Sequence, residues 1–145
     1  MARVSTYLNF PGNTEEAFLF YRSVFGGDFN GPIHRFRDVP ATPGQPPMPE
    51  SARNLVMHVE LPILAGHVLM GTDAPESMGF TVVNGNSVHI NLEPDTRADT
   101  DRLFAALAVG AKVDMPLSDM FWGAYFGTLT DRYGIRLMFN CMGKS

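Results

Sequence analysis

The sequence has one cysteine, Cys141, among its 145 residues, and this excludes an internal disulfide. A chain without crosslinks suits a reducing compartment, so we expect a cytoplasmic protein. No acid–base pattern surrounds Cys141, and the sequence therefore does not predict a catalytic thiol. A chain of this length buries enough surface to fold as one domain without disulfides.

Long apolar runs and basic clusters are also missing. No stretch approaches the ~20 apolar residues of a membrane span, and the N-terminal MARVSTYLNFPGN lacks the apolar core of a signal peptide. The net charge is −4 without any run of Lys or Arg, which argues against a nucleic-acid partner. The composition, 45% hydrophobic and 18% charged, is typical of a soluble globular protein.

The first part of the chain predicts a strand followed by a helix. Side chains in VSTYLNF, residues 4–10, alternate with the period of a strand. Asn13 and Glu16 then form a capping-box pattern, which predicts the start of a helix. Apolar residues follow at helical spacing until Gly26 and Gly27 end the pattern.

The second part of the chain repeats this pattern. The strand-like SVHINL precedes Thr96 and Asp99, a weaker capping signal, and the helical stripe that follows ends at Gly110. Three strand-like runs follow each helix. They are FNGPIHRFR, NLVMHVELP and GHVLMGTD in the first part, and AKVDMPL, WGAYFGTLT and GIRLMFNC in the second.

Fixed offsets relate the two parts. The aligned pairs are Tyr21 with Phe104, Asn9 with Asn91, and Gly66 with Gly134, at offsets of 83, 82 and 68 residues. The shorter offset near the end places extra residues in the first part, at about 38–53. The first fifteen of them hold five of the eleven prolines, so we expect a loop there.

The repeated order predicts an α+β fold of tandem βαβββ modules with mixed sheets, each carrying its helix on one face. The expected modules are residues 1–75, with the Pro-rich insertion at about 38–53, and residues 85–145. Together they form a single domain, 1–145.

The motifs YLNFPGNTEEAFLFYRSVFGG, GHVLMGTDAP and DMFWGAYFGTLTDRYG, with the Pro-rich insertion, resemble the PhnB-like branch of the vicinal-oxygen-chelate superfamily. That superfamily includes glyoxalases, bleomycin-resistance proteins and extradiol dioxygenases. The resemblance implies that the mixed sheets are curved and form a half-barrel pocket, with the helices on the other face. It also implies a homodimer.

Strand alternation then divides the side chains between two faces. The predicted helix-facing residues are Leu8, Phe10, Leu69, Val88, Ile90, Leu92, Leu137 and Phe139. The predicted pocket-facing residues are Tyr7, Asn9, Met70, His89, Asn91 and Met138. Asn9 and Asn91 are expected at matching positions, bonded to each other, to water or to a ligand.

In metal-dependent members of the superfamily, the ligands come from the first and last strands of each module. Those positions correspond here to Ser5 or Tyr7, Met70, His89 and Met138, of which only His89 is a usual ligand. We therefore expect neither a metal nor another cofactor. Two alternatives stay open: Cu(I) held by His89 and the two methionines, and a His58–Glu60–His89 cluster.

Three roles are open to His89: a structural residue, a hydrogen-bonding wall residue, or a general base oriented by Glu60. Trp122 and Tyr125 are expected to line the pocket mouth. Arg136 either pairs with an acidic ligand or Glu60, or lies on the surface. The expected ligand-binding set is Tyr7, Asn9, His58, Met70, His89, Asn91, Trp122, Tyr125, Arg136 and Met138.

Two functional hypotheses follow. The first is a metal-free protein that binds a small apolar or aromatic molecule in its pocket. The alternative is an enzyme of the superfamily, an isomerase, lyase or hydrolase, in which His89 and Glu60 are the candidate catalytic residues or His89 binds a metal. The resemblance also brings a ubiquinone-type methyltransferase label, but no glycine-rich turn joins a strand to a helix as that activity would need. A structural dimer with a vestigial pocket remains a third option.

Overall fold

The computed structural model describes residues 1–40 and 42–143. The chain divides into two compact units, Met1–Val82 and Val83–Ser145. Apart from short helical turns, each unit is built from a strand, a helix and three further strands, in that order. In the described ranges, no helix is both long enough and apolar enough to cross a membrane.

The first unit has one four-stranded mixed sheet. Its elements are β1 Thr6–Phe10, α1 Thr14–Phe25, β2 His34–Arg35, α2 Glu50–Arg53, β3 Val56–Pro62 and β4 Val68–Asp73. The strand order is β1-β4-β3-β2. Strand β1 is parallel to β4, and the remaining pairs are antiparallel.

The second unit repeats this topology. Its elements are β5 Ile90–Leu92, α3 Arg97–Leu107, β6 Lys112–Asp119, β7 Tyr125–Thr130 and β8 Arg136–Cys141. The strand order is β5-β8-β7-β6, with β5 parallel to β8. The predicted α+β fold of tandem βαβββ modules with mixed sheets is therefore confirmed.

The last hairpin of each unit shows the repeat at the level of single hydrogen bonds. The amide of Ile63 donates to the carbonyl of His67 at 2.7 Å, and the amide of Asp131 donates to that of Ile135 at 2.8 Å. Gly66 and Gly134, aligned by the offset of 68, have φ of 75° and 87°, where a side chain would be strained. This part of the sequence alignment is confirmed.

Burial confirms most of the predicted face assignment. The helix-facing residues Leu8, Phe10, Leu69, Leu92, Leu137 and Phe139 are all 9% exposed or less. The prediction is wrong for Val88, which is 75% exposed because β5 begins only at Ile90. The side chains of a strand point alternately to its two faces, but a residue outside the strand need not follow this pattern.

The Pro-rich insertion is mostly loop, as predicted, but its last residues, Glu50–Arg53, form the helical turn α2. The strand predicted before it is shorter than expected, because Phe36–Asp38 turn into a 3₁₀ helix. The Asp38 carboxylate accepts a hydrogen bond from the amide of Arg35 at 2.9 Å, which ends the ladder after two residues.

A buried carboxylate, not the expected Asn13, caps helix α1. Asn13 makes no side-chain capping hydrogen bond. Asp73, only 3% exposed, accepts hydrogen bonds from the Thr14 amide at 3.0 Å and the Thr14 hydroxyl at 2.6 Å. Its second oxygen accepts from the Val56 amide at 2.8 Å. One side chain thus joins the start of α1 to β3 and β4. In the second unit, Thr96 caps α3 locally, as predicted, by accepting from the Asp99 amide at 3.1 Å.

The two units fill the space between helix and sheet differently. In the first, a Cβ on Gly71 of β4 would overlap the ring of Phe18, so glycine lets α1 approach the sheet closely. In the second, Phe139 of β8 fills the corresponding position and packs edge-on against Phe104, with ring centroids 5.5 Å apart.

We expect Asp73→Ala to lower the free energy of unfolding by about 3 kcal/mol, because three buried donors lose their acceptor. Urea denaturation measures the change. The control is Asp28→Ala, an exposed carboxylate after α1, which should change stability by no more than about 0.5 kcal/mol. Equal stabilities of the two variants would contradict the capping role.

Candidate functional site

The surface of the first sheet that faces away from α1 carries the largest group of predicted site residues. We call it the first face and define it as Tyr7, Asn9, His58, Glu60 and Met70, which alternate with buried strand residues. The sheet register places Tyr7 opposite Met70, and Met70 opposite Glu60. These three side chains therefore form one row across the sheet.

An imidazole–carboxylate pair lies at the centre of the first face. His58 Nε2 is 2.8 Å from Glu60 Oε2, and the two side chains are 30% and 23% exposed. The Tyr7 ring lies beside the His58 ring, with centroids 5.9 Å apart and planes inclined by 33°. The other Glu60 oxygen is 3.7 Å from the guanidinium of Arg3. The sequence leaves a His58–Glu60–His89 cluster open and favours Glu60 as the partner of His89, whereas the structure pairs Glu60 with His58.

The hydrogen bond from His58 lowers the pKa of Glu60 below its ordinary value of 4.5. Burial acts in the opposite direction, while the Asn30 side chain and the charge of Arg3 add to the lowering of this pKa. Glu60 is consequently a carboxylate at neutral pH, able to orient the imidazole or to stabilise its protonated form. No local sequence pattern marks Asn30 or Arg3 as its partners.

The positions where the superfamily holds metal do not offer a suitable donor set in this chain. The Ser5 hydroxyl donates to the Met70 thioether at 3.8 Å, and Tyr7 lies opposite Met70. Within residues 1–40 and 42–143, no three His, Cys, Asp or Glu side chains come together as a cation site. A hydroxyl and a thioether do not replace the three or more N, O or thiolate donors that a divalent transition metal requires.

The second sheet presents Asn91 and Met138 on the side away from α3, where they lie opposite each other. Asn91 donates to the Glu93 carboxylate at 2.8 Å. The expected match between Asn9 and Asn91 is wrong. Tyr7 lies opposite Met70 in the first sheet, and Asn91 lies opposite Met138, the equivalent of Met70, in the second, so Tyr7 corresponds to Asn91. The error is two residues, so both amides still lie on the predicted faces.

His89 is half-buried just before β5, and its side chain makes no hydrogen bond or ion pair within the described residues. Its own unit therefore supplies no carboxylate to orient it, in contrast to His58. Arg136 donates from Nε to the carbonyl of Gly85 at 3.2 Å.

Trp122 and Tyr125, predicted to act together, lie in different surroundings. Trp122 is 50% exposed in the β6–β7 turn, edge-on to Phe126 at 5.9 Å. Tyr125 points to α3, where its hydroxyl donates to Asp101 at 2.5 Å and the Arg97 guanidinium lies 3.8 Å from its ring. The hydrogen bond to Asp101 raises the pKa of Tyr125.

Comparison with known proteins gives one matching family and several similar structures. The family model described as 3-demethylubiquinone-9 3-methyltransferase matches residues 2–138. Protein PA1353 from Pseudomonas aeruginosa is 33% identical, and the match covers 100% of both chains with a TM-score of 0.82. The putative 3-demethylubiquinone-9 3-methyltransferase, PhnB protein, from Bacillus cereus is 27% identical over 97% of this chain and 99% of its own, with a TM-score of 0.67.

A more distant similarity concerns the fold alone. A glyoxalase/bleomycin resistance protein/dioxygenase family enzyme from Burkholderia phytofirmans PsJN is 19% identical, with a TM-score of 0.59 over 94% of this chain and 97% of its own. The matched residues and the repeated βαβββ topology agree with the family. The chain belongs to the PhnB-like family described as 3-demethylubiquinone-9 3-methyltransferase.

Proposed function

We propose that this protein binds a small aromatic or apolar molecule on the first face without using a metal. The observation that carries the proposal is the His58–Glu60 pair at 2.8 Å beside the Tyr7 ring. The pair offers a fixed hydrogen-bonding edge, and the half-exposed ring next to it offers a flat apolar surface. Met70, in the same row, adds a polarizable side chain that adapts to ligand shape.

The remaining predicted ligand-binding residues enter the proposal with different weight. Asn91 and Met138 give the second sheet a comparable mixture of amide and thioether. The Arg136 guanidinium keeps donors that Gly85 does not use. Tyr125 contributes least, since its hydroxyl and ring are engaged by Asp101 and Arg97.

A second candidate function is proton transfer, in which the protein is an enzyme of the superfamily. The same pair favours it, because a neutral imidazole held by a carboxylate can remove a proton from a bound substrate. His58 is a better general base in this role than His89, since Glu60 orients it. Methyl transfer has less support: β1 runs into α1 through Pro11, Gly12 and Asn13 without a glycine-rich turn.

We further propose that the protein is a cytoplasmic homodimer. Apolar side chains are exposed along β6 and the following turn: Val113, Met115, Phe121 and Trp122 are each at least 41% exposed. Exposed apolar patches of this kind are typical of protein interfaces.

The binding proposal predicts that aromatic fragments screened by NMR shift the signals of Tyr7, His58 and Met70. Tyr7→Leu should weaken the best fragment about 10-fold, since the ring no longer contacts it. The control is Phe80→Leu, because Phe80 is 50% exposed and Tyr7 is 49% exposed. Equal losses of fragment affinity in the two variants would overturn the proposal. Fragments that leave the NMR signals of the first face unshifted would also overturn it.

The two candidate functions differ in their response to bound fragments. Incubating each fragment with the protein in D₂O tests proton transfer, since an enzyme exchanges a substrate C–H for C–D. If the protein is such an enzyme, His58→Gln should abolish the exchange, and His89→Gln should leave it intact. If no bound fragment exchanges its C–H protons, the result favours the binding function over proton transfer. Loss of exchange in His89→Gln would identify His89 as the general base.

The lowered pKa of Glu60 predicts a pH dependence. Because the folded-state pKa lies below that of the unfolded chain, the His58–Glu60 contact stabilises the protein above about pH 4.5 and is lost as the pH falls through the folded-state pKa. In an NMR titration, His58→Gln should move the pKa of Glu60 upward. The control His67→Gln removes a histidine bonded to Thr6 and should leave the Glu60 titration unchanged. An unchanged Glu60 pKa in His58→Gln would contradict this assignment.

Light scattering after gel filtration tests the dimer. A dimer of this 16.0 kDa chain has twice that mass. The double variant Phe121→Ser/Trp122→Ser should shift the protein toward the monomer, because it removes the most exposed aromatic contact area. Leu19→Ser, at a 42% exposed position on α1, is the control. A monomeric wild-type protein would exclude the dimer.

A further inference from the structure

The Pro-rich insertion lines a cavity of about 660 Å³ in the first unit, partly open to solvent and separate in sequence from the first face. Its wall is largely apolar, with Phe36, Pro47, Met48 and Met78 among the lining residues. The volume falls in the range of pockets that hold drug-sized molecules. Proline gives the cavity a rigid rim, and the half-buried Met48 and Met78 give it an adaptable surface.

Two guanidinium groups, those of Arg37 and Arg53, also line this cavity. No acidic side chain lies among the described residues of the lining. The Arg53 side chain makes no hydrogen bond or ion pair within residues 1–40 and 42–143. The neighbouring Asp38 carboxylate is engaged with the Arg35 amide at 2.9 Å. The cavity therefore has an excess of positive charge that its own lining does not neutralise.

Arg37 is held in place for binding. Its Nη1 donates to the Asn54 side-chain oxygen at 2.8 Å, which fixes one end of the guanidinium. The other donors of this planar group stay available, and a guanidinium binds a carboxylate best through two parallel hydrogen bonds. A positioned arginine next to an apolar wall is suited to a molecule with a negative end and a flat apolar body.

We propose that this cavity is a second binding site, which takes a small organic carboxylate with an aromatic body. The carboxylate lies between Arg37 and Arg53, and the aromatic body lies against Met48 and Met78. The site differs in chemistry from the first face, which is centred on a carboxylate of the protein itself, Glu60. A ligand of the cavity must be an anion, whereas the first face has no such requirement.

The test uses 2-naphthoate and its neutral analogue 2-naphthamide with protein labelled with ¹³C at the methionine methyl groups. Binding in the cavity shifts Met48 and Met78, while binding at the first face shifts Met70. We expect 2-naphthoate to shift Met48 and Met78 saturably, and 2-naphthamide to bind at least about 10-fold more weakly because it lacks the charge.

Variants of the two arginines complete the test. Arg37→Gln and Arg53→Gln should each weaken 2-naphthoate about 10-fold, and the double variant should abolish the Met48 and Met78 shifts. All three should fold, since both side chains are exposed, and far-UV circular dichroism checks this. Arg102→Gln, which removes an exposed arginine of α3, should bind as the wild type does.

Equal affinity for the two naphthalene compounds, or unchanged 2-naphthoate binding in the double arginine variant, would overturn the proposal. A shift confined to Met70 would also overturn it, because the ligand would then occupy the first face. The presence or absence of 2-naphthoate shifts at Met48 and Met78 does not bear on whether uncharged aromatic molecules bind at Tyr7 and His58, which the fragment screen tests separately.

Discussion

The buried carboxylate of Asp73 is the interaction on which the arrangement of the first unit depends. It accepts hydrogen bonds from the start of α1 and from the first residue of β3, while its own backbone ends β4 opposite Phe10. Three elements distant in sequence are thereby held in one register. A shift of one residue in β4 would bring Met70 under the helix, and the same shift in β3 would bring His58 and Glu60 there, because it exchanges the two faces of the strand.

That register gives the first face its chemistry. With Leu8, Phe10 and Leu69 directed to the core, the intervening side chains remain accessible. The closest pairing among them is an imidazole with a carboxylate, supported by a guanidinium and an amide. Such a surface recognises a ligand by hydrogen bonding and ring contact. Its donor set is too small for a transition metal, in agreement with the thioether and hydroxyl groups at the expected ligand positions.

Sequence reasoning succeeded where the signal is local and periodic. Alternation identified the buried faces of the strands, and the recurring glycine of the final hairpin identified the duplication, because both features follow from backbone geometry. It failed where a contact joins distant residues: Asn13 carries a capping pattern, yet Asp73, sixty residues later, caps α1 instead. Asn9 and Asn91 were aligned two residues out of register, since only the ladder partners fix the position of a short strand.

A crystal structure of the protein with an uncharged aromatic fragment is the most direct test of the central claim that the first face binds ligands. The account predicts fragment density stacked beside the Tyr7 ring, with a polar atom of the fragment within hydrogen-bonding distance of His58. Density located elsewhere, with the first face occupied by ordered water alone, would contradict it.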